Sequence, residues 1–354
     1  MVTRDSLYPD RMSKVDWSLA VSVAKSVGGR YPLEGTYHET KLRRDAPGLV
    51  ARASELVSDE TGLEGPGFPE VLVVSRDEWA ATNVESFATL LASAEERLSA
   101  FTGLSGGLAG RIMGAEMGAV LGFLSRRVLG QYELVLPTGD GEFGDSVLFV
   151  GGNLLKMERD HSFRPDEFRF WVALHESTHR LQFLGVPWLR EYFLGLVDEL
   201  VASATPEPGR MQRVSAQLQE AAAAGEPLID ESGMFGLFAT PEQREVIDRV
   251  QALMSLLEGH GHVVMDRIGE RELVTQQRMS RVLKARRSDK RTAAFMRLIG
   301  LELKLRQYEL GERFIAGVEE HASWDALSFA WQSPEALPTL GEISDPQRWL
   351  KRVA

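Results

Sequence analysis

Two histidines four residues apart, with a glutamate directly after the first, carry the clearest chemical content of this sequence: His175-Glu176-Ser177-Thr178-His179. On an α-helix, positions i and i+4 share a face, so both imidazoles can aim at one metal ion. A metal there lowers the pKa of a bound water, and a carboxylate beside it takes the proton as that water attacks a carbonyl. Glu176 is placed to be that general base. The surroundings suit a helix, with an apolar run at 170–174 before the motif and Leu181 and Phe183 after it. In a chain with seven histidines, chance produces the pattern with a probability on the order of 1%.

A metal that keeps one position open for water needs a third protein ligand. The chain has no cysteine, so that ligand is His, Asp or Glu. The first candidate is Glu258, in Ser255-Leu256-Leu257-Glu258-Gly259-His260-Gly261-His262, an acid in an apolar helical segment where an unpaired charge is costly. His262 follows four residues later on the same helical face. Glu199 is the third candidate, 20 residues after His179, a spacing like that of thermolysin-type enzymes. A residue not used as a ligand can orient one or stabilise an oxyanion. Gly259 and Gly261 argue against a plain surface helix here, because two glycines weaken a helix unless something must approach closely.

The elements that must position these residues read as mainly helical. Helices are expected at 15–27, 44–59 and 76–98, with a short strand at 70–75. Gly106, Gly110, Gly114, Gly118 and Gly122 recur every four residues, which predicts a helix with one bare face for close backbone approach. Two β-like runs, 132–136 and 146–150, flank a Gly-rich stretch and read as a hairpin with a long loop. Pro165 and Gly185 bracket the helix that carries the motif. Helices follow at 187–204, 211–224, 241–268 and 291–318, then short turns at the C-terminus. The basic run 281–291 reads as a solvated face. The fold class is therefore mainly α with a small β-hairpin or sheet (α+β), the H-E-x-x-H helix at its centre. The 354 residues form a single unit, or two lobes, 1–204 and 210–354, divided at the Pro-rich linker 205–209.

With 40 Lys plus Arg against 51 Asp plus Glu, the net charge is −11, which disfavours nucleic acid as a partner. The lack of cysteine excludes disulfides, thiolate metal sites and thiol nucleophiles. The sequence shows no signal-peptide pattern and no apolar run long enough to span a membrane, so a cytoplasmic protein with no membrane partner is expected.

Several segments together resemble a known family. They are Val15-Asp16-Trp17, Val128-Leu129-Gly130-Gln131-Tyr132, the motif itself, Pro187-Trp188-Leu189-Arg190, Leu257 with the residues through Asp266, Lys304-Leu305-Arg306-Gln307-Tyr308 with Gly311 and Phe314, and Asp345-Pro346-Gln347-Arg348-Trp349-Leu350. Over nearly its whole length the chain resembles the type 2 zincin-like metallopeptidases, a mostly bacterial group of assigned hydrolases, one branch of which is associated with biosynthesis of a deazaflavin redox coenzyme. The resemblance implies a largely helical protein with one zinc per chain, held by His175, His179 and Glu258, with Glu176 as base. Tyr308 lies in a family-like segment and can donate to an oxyanion, as can His262; the simpler role for Tyr308 is a core residue. In zincins a strand edge ahead of the active-site helix binds extended substrate, and Ser146–Val150 is placed to do so. A peptide or a small amide is the expected substrate. The alternative is a non-catalytic scaffold of the same fold, linked to deazaflavin coenzyme metabolism.

Overall fold

A computed structural model describes residues 15–102, 107–136, 144–203, 241–287 and 302–354. The expected linker at 205–209 and helix at 211–224 lie outside them. Among the described residues the elements run α1 (Trp17–Gly28), α2 (Tyr37–Thr61), β1 (Glu70–Val74), α3 (Arg76–Thr102), α4 (Gly107–Ser125), β2 (Gly130–Glu133), β3 (Ser146–Val150), α5 (Gly151–His161), α6 (Pro165–Gly185), α7 (Leu189–Ser203), α8 (Pro241–Glu272), α9 (Gln276–Arg287), α10 (Glu302–His321), α11 (Leu340–Ile343) and α12 (Pro346–Val353). Two 3₁₀ turns, Trp324–Trp331 and Pro334–Ala336, join α10 to α11, so the C-terminus holds the expected short turns and, beyond that expectation, the helices α11 and α12.

The sheet corrects one expectation. Its strand order is β1-β3-β2, with β2 antiparallel and β1 parallel to β3. The antiparallel pair of the expected hairpin is present, starting at Gly130 opposite Phe149. Ser146–Val150, however, is the central strand. Its main-chain groups pair with Glu70–Val74 on one side and Gly130–Glu133 on the other, so it offers no edge to an extended substrate.

Alternating side chains of β3 divide the interior in two. Val147 and Phe149 join Val73 in the main core, which draws on α2, α6, α8 and α10 and takes residues from both sides of 205–209. Leu148 and Val150 join Val74 in a smaller core under α1, α3 and α4. This two-sided burial explains why β3 is apolar from Val147 to Val150.

Three glycines of the stripe do what its spacing predicts, and Gly106 lies outside the described residues. Gly114, Gly118 and Gly122 on α4 face the carbonyls of Asp16, Ala20 and Ala24 on and just ahead of α1, so two four-residue rows lie against each other. A Cβ on Gly122 would come within 2.6 Å of the Ala24 oxygen, and the other two positions are tighter. On the opposite side of the sheet, Arg180 locks α6 in place. Its guanidinium is 1% exposed, pairs with both Asp145 oxygens (2.7 and 2.9 Å) just before β3, and donates to the carbonyl of Pro66 at 2.7 Å. A charge buried that deeply persists only with such full compensation. No described helix is long and apolar enough to cross a membrane.

Gly118→Ala tests the α1–α4 contact. Alanine favours a helix by about 0.5–1 kcal/mol over glycine, but the added methyl meets the Ala20 carbonyl. Overpacking of about 1–3 kcal/mol should win, seen as a lower urea midpoint; a raised midpoint would mean the helices do not meet there.

Candidate metal centre

Helix α6 starts at Pro165, which needs no backbone donor at the first position, with Asp166 and Glu167 in its first turn complementing the helix dipole. Most of its length is buried on all sides, as a central helix must be. His175 and His179 emerge on one side, partly exposed, their Nε2 atoms 3.1 Å apart. Glu258 reaches them from α8. Its Oε2 lies 3.7 Å from His175 Nε2 and 3.6 Å from His179 Nε2.

Ligand atoms about 2.0–2.1 Å from a tetrahedral zinc stand about 3.3 Å from one another. The observed triangle of 3.1, 3.6 and 3.7 Å brackets that spacing. Its chemistry fits as well: two imidazole nitrogens converging on one carboxylate oxygen need a proton or a cation among them. Burial disfavours a proton on His179, but the facing Glu258 carboxylate outweighs it and raises the imidazole to about 9. The site thus has the electrostatics of a cation receptacle. His262 adds a fourth donor, within 4.8 Å of the His175 and Glu258 donors.

Close helix packing brings Glu258 here. A Cβ on Gly259 would lie 2.5 Å from the Cα of Gly311 on α10, and one on Gly311 would collide with the Ser255 carbonyl. Gly261 faces the other way. A Cβ there would sit 3.4–3.6 Å from the rings of His179 and His175, so glycine lets α8 lie flat against the imidazoles. Both glycines are therefore approach points, as the sequence suggests, but toward different neighbours.

An outer layer holds these donors. His179 Nδ1 is 2.9 Å from Gln182 Oε1, and Gln182 Nε2 donates to Leu257 O at 3.1 Å and lies 3.0 Å from His260 Nδ1. His260 stacks on Trp324 and meets Trp331 edge-on; burial, followed by the charge of His179, pushes it down to about 3, so it stays neutral. His262 Nδ1 donates to Glu312 Oε1 at 3.0 Å, and Lys284 sits 3.5 Å from the other Glu312 oxygen. Burial opposes charge on Glu312, yet His262 and Lys284 hold its carboxyl below the usual value. Sequence reasoning misses Gln182 and Glu312. The available signals are the three-residue step from His179 to Gln182 and an acid directly after Gly311.

Glu176 is 5% exposed and leans on β2. A Cβ on Gly130 would fall 2.6 Å from its Oε1 and 2.9 Å from its Cδ, so the carboxylate rests on bare backbone. Of the other candidates, Glu199 is not drawn in; it is half exposed on α7 and pairs with Arg249. Tyr308 lies on α10, but its side chain is outside the described residues.

Comparison with known proteins places the chain in a family. A sequence profile described as "Zincin-like metallopeptidase" matches residues 15–350. Among solved structures, a protein from Chloroflexus aurantiacus, provisionally assigned as a hydrolase and described as having a novel fold, is 30% identical. That match covers 96% of this chain and 98% of the other with a TM-score of 0.72. A search of curated proteins finds no match.

Glu258→Ala checks the donor triangle. Protein purified without an affinity-metal column should carry about one zinc per chain in the wild type, by plasma mass spectrometry, and far less in the variant. Equal zinc in both would remove Glu258 from the site.

Proposed function

This chain belongs to the zincin-like metallopeptidase family, and from that premise we propose that it is a hydrolase of amides, most simply of peptide bonds, with one zinc held by His175, His179 and Glu258. The observation that carries this reading is Glu176: a buried carboxylate one residue from a donor histidine, seated against Gly130. A metal that is purely structural has no use for a base beside its ligands.

Zinc bound at the three donors would supply Lewis acidity and an acidified water. Glu176 takes the proton from the attacking water and returns it to the departing amine. The bare backbone of Gly130 leaves the carboxylate its place beside β2, a place that a side chain at 130 would take from it. His262, carried as an imidazolium with Nδ1–H on Glu312, would donate through Nε2 to the oxygen that gains charge, and Tyr308 is the second candidate for that donation. Among the described residues, strand β2 pairs only with β3, and it carries Gly130 beneath Glu176, so it replaces Ser146–Val150 as the strand that would align an extended substrate.

One observation favours the scaffold reading. His262 lies within 4.8 Å of the His175 and Glu258 donors. If its Nε2 supplies an electron pair in place of a proton, the chain provides four ligands, and four protein ligands close a zinc site.

Two variants separate these readings. Glu176→Gln should retain zinc and lower kcat on a peptide-library substrate by about 10²–10⁴-fold; full turnover in the zinc-loaded variant would exclude Glu176 as base. His262→Ala should likewise keep its zinc while hydrolysis slows. Loss of the metal from that variant would instead identify a closed, four-ligand centre.

A further inference from the structure

The carbonyl of Leu257 can only accept a hydrogen bond. Gln182 donates to it through Nε2, which fixes the orientation of the amide. Gln182 Oε1 therefore faces His179 Nδ1, at 2.9 Å. An amide oxygen cannot donate, so the proton of this contact sits on His179 Nδ1. In the neutral ring that a metal ligand must be, the lone pair is then left on Nε2, the atom that faces His175 and Glu258. The second amide proton of Gln182 goes to His260 Nδ1, 3.0 Å away. The ring of His260 is held between Trp324 and Trp331 and cannot swing out of reach. Gln182 is fully buried, so a change that leaves Leu257 O or His179 Nδ1 without a partner costs about 1–3 kcal/mol per group.

We propose that Gln182 is the positioning residue that sets the tautomer of His179, taking its own orientation from the Leu257 carbonyl beside Glu258. The metal-binding element thereby extends to H-E-x-x-H-x-x-Q. One amide also ties the presentation of a ligand on α6 to the register of α8, the helix that supplies Glu258. This inference rests on the reading of His179 as a metal ligand. Partners of this kind on the far nitrogen of a ligand histidine typically change metal affinity by about 10–100-fold.

Two substitutions with opposite expectations test it. Gln182→Met keeps the size and loses the acceptor; Gln182→Glu keeps an acceptor for His179 Nδ1. The zinc dissociation constant, measured by competition with a chromogenic chelator, should rise about 10–100-fold in the methionine variant and change by no more than about threefold in the glutamate variant. In zinc-loaded protein labelled with ¹⁵N-histidine, the low-field Nδ1 proton of His179 should persist in wild type and in Gln182→Glu and disappear in Gln182→Met. A packing role predicts the reverse order, with methionine tolerated and the buried carboxylate disruptive. That order, or an unchanged His179 signal in Gln182→Met, overturns the proposal. If the methionine variant does not fold, loss of the signal in Gln182→Glu overturns it instead. If wild type takes up no zinc, the metal-site reading fails and this inference falls with it; normal zinc uptake with an indifferent Gln182 sinks the inference alone.

Discussion

A carboxylate buried in the middle of a long helix must be compensated by its neighbours, and at Glu258 the compensation comes from another helix. Glu258 is 7% exposed, and its oxygen faces the two imidazoles of α6 across the helix interface. Leaving such a charge unpaired would cost several kcal/mol. The spacing of α6, α8 and α10 follows from this requirement. Glycine at 259 and 311 lets α8 and α10 touch through their backbones, and glycine at 261 lets α8 reach the histidine rings. Larger side chains at these positions would force the helices apart and strand the carboxylate.

Leu257 through His262 concentrate several tasks in less than two turns of helix. Glu258 and His262, four residues apart, look toward His175. Gly259 looks toward α10, and Gly261 toward the histidine rings. Leu257 O and His260 receive the amide of Gln182. No single face of a helix could present all of these, so residues around its whole circumference are committed to contacts. This explains why the segment tolerates two glycines in spite of their cost to a helix.

The sheet has a different task. It is too small to form a layer of its own, yet it separates two cores through the alternation of β3. It also places Gly130 under Glu176. Glu176, the proposed base, thus lies against β2, whereas the donor histidines meet α8. A disturbance of the strand and a disturbance of the helix bundle would reach different parts of the chemistry.

Local patterns alone make some of this legible. The period of the motif puts His175 and His179 on one face, Pro165 and Gly185 mark the ends of α6, and the four-residue glycine repeat requires a close neighbour. Glu258 stands out because an acid among apolar residues and glycines needs a partner. Each of these follows from chemistry within a few residues. Tertiary structure alone decides which distant groups meet. The parallel pairing of Glu70–Val74 with Ser146–Val150 makes the latter a central strand, and no local signal distinguishes that from a hairpin edge. In the same way Gln182 reaches Leu257 and His262 reaches Glu312, because helix packing sets those neighbours and the residues between them carry no mark of it. Sequence period specifies the face on which a side chain stands; the partner of that face is fixed only when the helices and strands pack.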